Sequence, residues 1–326
     1  MTTTGIRAGA NASDTRLALV PEAAWGVTPA TPAFTNIRFT SENLQPAKET
    51  VRSQEIRPDR NVTDEIMVGR SVSGNMDFEL SYGTFDDLLE GLFHSQWGGT
   101  DDAILINGAN IGQAFTAERT LKLNDGSSHY SRFTGLVVNS MNLSVSSGAL
   151  VTGSFDVMGK FGGAGTTPIV GATYADATQT RVINAATHFA GLSVTGAGLG
   201  GDTPMIQSID LNITNNMRAQ RTVGSIDNVG MGAGQFEVTG SITAYFRPGL
   251  LSAFLAHDDL GLEFTLGTEA NSRYKISIPT LVLTGSPGGN ADGNDSDVMS
   301  TVQFTGVLDR TTAVPIGGTI KIERGV

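Results

Sequence analysis

The sequence predicts a mainly β chain that contains two similar β-sandwich units, each with a short flanking α-helix. Two observations lead to this fold class. Glycine supplies 41 of the 326 residues, and short alternations of apolar and polar residues recur between turn-forming residues, a pattern typical of many short strands. A strand-like segment followed by a short apolar segment also occurs twice, around Gly74 and around Gly240. Such self-similarity indicates a repeated unit.

The repeated segment has the same design in both halves of the chain. In residues 72–80 and 238–246, apolar and polar residues alternate around the glycine, which predicts a strand with one buried face. Turn-forming residues, Gly83 in the first copy and Pro248 in the second, then end the strand. Each copy continues with a short apolar segment that predicts a helix: 85–89 and 250–255.

Composition and turn spacing divide the chain into four segments. Prolines and small residues predict an extended N-terminal arm at 1–35, and evenly spaced short strands predict a first β domain at 36–161. A stretch rich in Gly, Ala and Thr predicts a linker at 162–202. Strand patterns in a similar order then predict a second β domain at 203–326.

Two polar segments precede the repeated strands and are candidate contact surfaces. The first, 49–70, is longer than most loops inside compact domains and mixes both charge signs with apolar residues, which favours ordering by a partner; a solvated hairpin tip is the alternative. The second, 217–234, also retains apolar residues. The charged candidates for these inter-subunit or inter-ring contacts are Arg52, Glu55, Arg57, Asp59, Arg60, Asp64, Glu65 and Arg70 in the first segment and Arg218, Arg221 and Asp227 in the second.

Charge and composition argue against several classes of function. The formal net charge is -11, with 21 Lys and Arg against 32 Asp and Glu, so the surface disfavours binding to nucleic acid phosphates. The chain has no cysteine, which excludes disulfides and thiolate chemistry. Because we find neither a secretory signal pattern nor a long apolar run, we expect a soluble chain without membrane insertion.

Motifs for catalysis or cofactor binding are weak. A glycine-rich segment at 196–201 precedes Pro204 and a strand pattern, whereas a dinucleotide site requires a helix N-terminus at that point. The four histidines are scattered and belong to no metal-binding or nucleophile motif. We therefore expect no enzyme activity, no catalytic residues, no cofactor and no metal site.

The strand around Gly74, the helical segment 85–89 and the polar loop 52–70 together resemble the major tail tube proteins of long, non-contractile-tailed bacteriophages of the siphovirus type. This resemblance implies a β-sandwich with a flanking helix, whose long hairpins join those of neighbouring subunits into an inter-subunit β-barrel lining a lumen. The implied partners are further copies of the chain in stacked rings, the tape measure protein, and the tail terminator and baseplate or distal tail proteins. The implied location is the phage tail of the virion, after synthesis in the host cytoplasm.

The resemblance also gives a role to the polar face of the repeated strands. If that face lines the lumen, its carboxylates would repel phosphates, and DNA would pass through without specific binding. The candidate lumen-facing residues are Asn75, Asp77 and Glu79 in the first copy and Glu237, Thr239, Ser241 and Thr243 in the second.

Ring stoichiometry and function class each have an alternative. The resemblance implies six tube units in a ring, so two such units in one chain favour rings of three chains with pseudo-sixfold symmetry, and rings of six chains are the alternative. A two-domain β-sandwich binding module, either an adhesin or a carbohydrate binder, is the alternative function outside the virion. Another virion assembly protein, such as a capsid decoration protein, is the alternative within it.

Overall fold

A computed structural model of the chain describes residues 9–100, 103–108, 112–267, 269, 271–289, 293–309 and 318–326. Twenty strands and two α-helices lie in this described part. The mainly β fold class predicted from the alternating sequence pattern is therefore confirmed. Residues 1–8 of the expected N-terminal arm lie outside the described residues.

The strands are short, with two long exceptions in the first half of the chain. The strands up to residue 175 are β1 (Arg16–Pro21), β2 (Ala33–Asn36), β3 (Ser41–Glu42), β4 (Gln45–Arg52), β5 (Glu65–Glu79), β6 (Ile104–Ile106), β7 (Phe115–Lys122), β8 (Ser128–Ser146), β9 (Thr152–Gly159), β10 (Phe161–Gly165) and β11 (Thr173–Ala175). The later strands are β12 (Phe189–Thr195), β13 (Ile206–Thr214), β14 (Arg218–Gln220), β15 (Gly230–Gly232), β16 (Glu237–Tyr245), β17 (Leu260–Gly267), β18 (Arg273–Leu283), β19 (Met299–Gly306) and β20 (Lys321–Arg324).

The two helices end in the same way. Helix α1 (Asp86–Phe93) begins with two acidic residues, which suit the positive end of the helix dipole, and α2 (Pro248–Ala256) begins with a proline, which needs no hydrogen-bond partner at that position. Both helices stop at a histidine, His94 or His257, in the left-handed conformation. Non-glycine residues adopt this conformation seldom, so its recurrence is a specific likeness between the two helix ends.

The larger sheet runs through both halves of the chain. Its antiparallel neighbours follow the order β4, β5, β9, β8, β13, β16, β19, β18, β17 and β12. The short β3 continues the β4 edge, β20 pairs with the first half of β18, and β6 pairs with β20. The first half of the chain contributes β4, β5, β9 and β8 in a row, and the second half contributes β13, β16, β19 and β18.

The smaller sheet is joined to the larger one by β8. The first half of β8 pairs with β7 and β10, and its second half pairs with β9 and β13. The sequence pattern of residues 133–138 and 141–145 predicts two separate strands. The structure instead has one strand, with a register shift between Val138 and Ser140, because the extra residue of a β-bulge bends a strand without ending it.

Segments expected as arm and linker supply strands to the smaller sheet. Its order is β11, β2, β1, β7, β8 and β10, with only the β11 and β2 pair parallel among these described strands. β1 and β2 come from the expected arm, and β10 and β11 come from the expected linker. The domain boundaries themselves stay a prediction.

One apolar core lies on a single side of the larger sheet. The buried residues of β5, β9, β8, β13, β16 and β19 belong to one cluster with residues of both helices and of β17, β18 and β20. Phe78 of β5 packs its ring 4.4 Å from Phe85 and 4.9 Å from Phe155, measured between ring centroids. Burying an aromatic or aliphatic side chain of this size contributes about 1.5–3 kcal/mol, so this shared core fixes the sheet on which the candidate site is built.

Two local expectations were wrong. Residues 37–40 alternate apolar and polar side chains, which predicts a strand, but they connect β2 to β3 without strand pairing of their own. The polar segment 49–70, expected as a long loop, continues the β4–β5 hairpin and leaves 53–64 as its tip. β-Branched residues such as Thr50, Val51 and Ile66 favour the extended backbone, and pairing of β4 with β5 satisfies their main-chain groups.

Candidate functional site

The face of the larger sheet opposite the core is polar across six adjacent strands. Cross-strand partners align in three rows, and we call this surface the polar wall. The first row is Asn75, Asp156, Ser140, Thr214 and Glu237; the second is Asp77, Ser154, Asn142, Asn212, Thr239 and Thr305; the third is Glu79, Thr152, Ser144, Asp210, Ser241 and Gln303.

The wall arises because strand side chains alternate between faces. In β5, Val72, Met76 and Phe78 are buried, whereas the intervening residues are half-buried or exposed. In β16, Val238 and Ile242 are buried in the same way. The alternation predicted from the sequence is therefore present in both repeated strands.

All charges in the three rows of the polar wall are negative. The rows contain neither lysine nor arginine. Their carboxylates lie on β5, β9, β13 and β16 and belong to Asp77, Glu79, Asp156, Asp210 and Glu237. Local donors hold three of these carboxylates, one of which is Asp77, an acceptor for the Ser41 hydroxyl. The Ser144 hydroxyl donates to Asp210 at 2.6 Å, and the Asn139 amide donates to Asp156 at 2.8 Å. A surface of this kind repels polyanions and offers hydroxyl and amide groups to water.

The structure places all seven sequence-predicted lumen candidates on the polar wall or its continuation. Asn75, Asp77 and Glu79 lie on β5, and Glu237, Thr239 and Ser241 lie on β16. Thr243 continues the same face, opposite Thr301 at 3.1 Å between hydroxyl oxygens. Sequence reasoning missed Asp156 and Asp210; the same alternation in β9 and β13 was the available signal. Whether this face lines a lumen stays a prediction.

The β4–β5 hairpin projects from the edge of the sheet. Every residue of β4 is exposed, as are the first four residues of β5. Its apolar residues are also exposed, and Ile56 at the tip reaches 98% exposure. An exposed strand edge with apolar side chains is a surface that proteins normally cover.

Charged residues in and beside the tip form two local ion pairs. The Arg57 guanidinium donates to both Asp59 carboxylate oxygens at 3.1 Å, and Arg52 lies 3.9 Å from Glu65. The backbone N–H of Ser53 donates to the Asp64 carbonyl, which closes the hairpin at 3.1 Å. Glu55 is exposed, and Arg60 takes the left-handed conformation at φ 58°. These contacts give the tip a defined shape. Among the described residues, the contacts named here lie within the hairpin itself.

The 217–234 segment folds back onto the base of the β4–β5 hairpin. Asp227 accepts a two-point interaction from Arg70, in which Arg70 Nη2 lies 2.9 Å from Asp227 Oδ2. Arg221 makes a second two-point interaction with Glu49, with Nη2 to Oε1 at 2.6 Å. The hydrogen bonds from Arg70 lower the pKa of Asp227, and those from Arg221 lower the pKa of Glu49. The carboxylates therefore stay ionised in these pairs.

The outcome for the loop candidates is mixed. Arg70, Arg221 and Asp227 are brought together by the fold, whereas Arg218 lies in the small β14–β15 hairpin and donates to the Ala233 carbonyl at 3.3 Å. Glu49 was missed as a contact residue, although it begins the polar segment. No inter-subunit or inter-ring role of these residues is tested by the single chain.

The two halves of the chain join where β8 pairs with β13. Residues 140–146 pair with 208–214, and Asn215 then closes the junction against the end of α1. Its side-chain amide donates to the carbonyls of Leu92 at 2.8 Å and Val138 at 3.1 Å, and its backbone N–H donates to Asn139 at 2.8 Å. Leu92 is completely buried here.

The described residues contain neither a metal-ligand cluster nor a membrane-spanning helix. They contain no group of three or more Asp, Glu or His side chains placed to hold a metal ion. No helix among them has the length and apolar character needed to cross a bilayer.

A sheet with one acidic polar face, an apolar core behind it and an exposed hairpin is suited to assembly rather than to chemistry. No curated protein matches the chain. A family model described as phage tail tube protein matches residues 12–306, nearly the whole chain, and the chain therefore belongs to the phage tail tube protein family.

Proposed function

We propose that the chain polymerises as stacked rings into the tail tube of a long, non-contractile-tailed phage. Family membership supports a structural role in the virion tail. The observation that carries the finer proposal is the continuous antiparallel sheet, which crosses from the first half of the chain to the second at β8 and β13. A sheet that already joins two similar sets of strands can be continued by further copies.

The strand order supports rings of three chains. The row β4, β5, β9, β8 corresponds to the row β13, β16, β19, β18, and Gly74 and Gly240 occupy matching places opposite Val157 and Phe304. We infer that the two rows are duplicated tube units, so that three chains supply six units with pseudo-sixfold symmetry. The β4 edge would then meet the end of β18 in the next chain, where residues 282 and 283 extend past the pairing with β17, and this contact covers the exposed β4 edge.

The polar wall supports a role as a conduit. In a closed ring its carboxylates would line the lumen, repel phosphates and let DNA pass without specific binding. The tape measure protein would occupy the lumen before DNA does, and tail terminator and baseplate or distal tail proteins would cover the two ends of the tube. In this role the chain needs no catalytic residue, and it would be synthesised in the host cytoplasm before joining the virion.

Electron microscopy of the purified, concentrated chain tests this proposal. We expect hollow tubes whose averaged end-on views show six similar lobes, and whose mass per ring equals three chains. Six chains per ring would overturn the three-chain arrangement but keep the tube. Particles that remain monomeric when purified distal tail protein is added as an initiator would contradict the tube and favour the two-domain binding module.

A further inference from the structure

The end of helix α2 is unusually exposed for its position. Helices α1 and α2 both stop at a left-handed histidine, so the residues before and after His94 and His257 can be matched one by one. Two positions before the histidine, Leu92 is completely buried whereas Leu255 is 74% exposed. The same structural position is therefore covered in the first half of the chain and uncovered in the second.

The second half of the same chain contacts the end of α1 at the Leu92 carbonyl and the Phe93 ring. Asn215, the residue after β13, donates its side-chain amide to the Leu92 carbonyl, and Phe236 packs on Phe93 with 5.8 Å between ring centroids. The junction between β8 and β13 thus brings a polar residue of one half to the helix end of the other. A helix C-terminus attracts such donors because its last carbonyls lack partners within the helix.

Strand register identifies the counterpart of Asn215. Thr214 lies opposite Glu237, so Asn215 follows that pair by one residue. Ala47 lies opposite Ser71, and Lys48 follows that pair by one residue, opposite Arg70. Since Ser71 and Glu237 are each three residues before the matching glycines Gly74 and Gly240, Lys48 takes the place of Asn215.

We propose that the C-terminal end of α2, centred on Leu255, is the docking site for Lys48 and the neighbouring residues of β4 in a second copy of this chain. The proposal rests on the proposed tube function and names the contact by which one chain meets the next. In it, the Lys48 ammonium takes the position of the Asn215 amide and donates to the carbonyls at the end of α2.

Charge complementarity supports a second copy as the occupant. After His94 the chain continues with Ser95 and Gln96, which are neutral and match the neutral Asn215. After His257 it continues with Asp258 and Asp259, which are acidic and match the cationic Lys48. A cation is also favoured at a helix C-terminus by the helix dipole. The residues after the helix and the residue that contacts them therefore differ in charge together: all are neutral in the first case, and acids face a cation in the second.

The sheet edges are compatible with the same contact. Val138 of β8 lies opposite Val157, and Leu283 of β18 lies opposite Phe304, the residue that matches Val157. The exposed β4 edge of the next copy would therefore approach the end of β18, as β13 approaches β8 within the chain. Lys48 and Leu255 lie on exposed surfaces at opposite ends of this row of strands, so one copy leaves both free for its neighbours.

Disulfide crosslinking tests the contact directly, because the natural chain has no cysteine. The test variant combines Lys48→Cys with Leu255→Cys, and the matched control combines Lys48→Cys with Val170→Cys, since Val170 is 89% exposed and lies in a loop near the smaller sheet. Both variants are concentrated, oxidised and examined by non-reducing electrophoresis and microscopy. We expect a ladder of covalent oligomers that ends at the trimer, at least tenfold more abundant than in the control.

Each outcome separates this contact from the tube proposal. Tubes with the ladder support both, and tubes without crosslinking above the control overturn the contact while the tube stands. Crosslinked oligomers without tubes support the contact and contradict the tube. If neither crosslinked oligomers nor tubes form, both proposals are contradicted. A charge exchange gives a second readout: Lys48→Glu is expected to slow assembly about tenfold, and Lys48→Glu combined with Asp259→Lys is expected to restore it.

Discussion

Arg70 and Asp227 are 157 residues apart in the sequence, yet they form a two-point ion pair. The backbone strengthens this contact, because the N–H of Arg70 donates to the Ile226 carbonyl at 3.1 Å. The Arg70 guanidinium also lies 4.3 Å from the centre of the Phe161 ring. The 217–234 segment is therefore fastened to the base of the β4–β5 hairpin rather than free in solvent.

Removing this ion pair is expected to loosen the 217–234 segment. Because both side chains are partly exposed, at 35% and 22%, Arg70→Gln or Asp227→Asn should lower the free energy of unfolding by only about 1 kcal/mol. Limited proteolysis should show a larger effect, with faster cleavage inside 217–234. Arg70 lowers the pKa of Asp227, so the stabilisation should be complete above the unfolded pKa of about 3.9 and be lost as the pH falls through the lower folded value.

The exposed pair of Arg57 and Asp59 provides the matched control for this prediction. Arg57→Gln removes a similar two-point contact between residues two positions apart, and it should leave cleavage of 217–234 unchanged. A double-mutant cycle on Arg70 and Asp227 should give a coupling energy clearly above zero. Additive effects of the two substitutions would contradict the role assigned to the pair.

Neutralising acids of the polar wall is expected to slow DNA passage through assembled tails. Asp77→Asn with Glu79→Gln removes two of the five carboxylates in its three rows, and Glu237→Gln added to them should increase the effect. DNA ejection, followed by light scattering of purified particles, should become slower and less dependent on salt concentration, since screening acts only on the charges that remain.

Two exposed acids near the smaller sheet serve as the control for the polar wall. Asp125→Asn with Asp176→Asn changes the net charge by the same amount but leaves the wall intact. Particles with this control should eject DNA at the natural rate. If the wall variant also ejects at the natural rate with unchanged salt dependence, repulsion from these carboxylates has no part in DNA passage.

The matched histidines predict a difference in acid stability. His94 is 8% exposed, and burial lowers its pKa. Its neutral form therefore stabilises the fold fully above the unfolded pKa of about 6.5, and this stabilisation is lost as the pH falls below that value. One additional proton in the unfolded state costs about 1.4 kcal/mol per pH unit until the lower folded pKa is reached. His94→Asn should flatten this part of the stability profile.

His257 is the control for His94, because it has the same left-handed backbone but an exposed side chain. Asparagine tolerates that conformation, so His257→Asn should fold normally and makes the same substitution at a helix end without removing a buried imidazole. Chemical denaturation at several pH values measures both variants. Equal profiles for His94→Asn and the natural chain would show that another group controls stability in this range.

Local alternation was enough to predict the strands that bury one face. The segments 72–80, 208–214 and 238–246 alternate clearly, and each lies in a strand of the larger sheet. It could not predict β11 or β20, because three or four residues are too few to show a period. These short strands are fixed instead by pairing with distant partners, β2 and β18.

The candidate site shows the same division between local and distant information. Asn75, Asp77 and Glu79 follow from alternation within one strand. Asp156 and Asp210 alternate in the same way within β9 and β13, but the rows that they share with the other acids are set by the pairing register, which depends on contacts far apart in the sequence. The ion pair between Arg221 and Glu49 depends in the same way on how two loops fold together.

A buried carboxylate in the smaller sheet gives the last prediction. The Glu118 side chain is completely buried; it accepts from Arg132 at 2.8 Å and from the Tyr174 hydroxyl at 2.5 Å, and lies 3.5 Å from Arg16. These partners come from β1, β8 and β11, so one carboxylate connects segments expected as arm and linker to the sheet. Removing one member of a buried ion network leaves the others without compensation.

Glu118→Ala is therefore expected to lower the free energy of unfolding by about 3–5 kcal/mol, measured by chemical denaturation. Glu118→Gln should cost less, because its amide keeps one acceptor.

Burial and the hydrogen bond to Glu118 raise the pKa of Tyr174 to about 12. The neutral form of Tyr174 therefore stabilises the fold fully below the unfolded pKa of about 10. This contribution is lost as the pH rises through the folded pKa of about 12. Ultraviolet titration, with Tyr174→Phe to assign the signal, should show this pKa falling in Glu118→Gln.

Glu269→Ala, at an exposed turn, is the control for Glu118→Ala and should change the free energy of unfolding by less than about 0.5 kcal/mol. An equal loss in Glu118→Ala and Glu269→Ala would mean that the Glu118 network does not hold these strands.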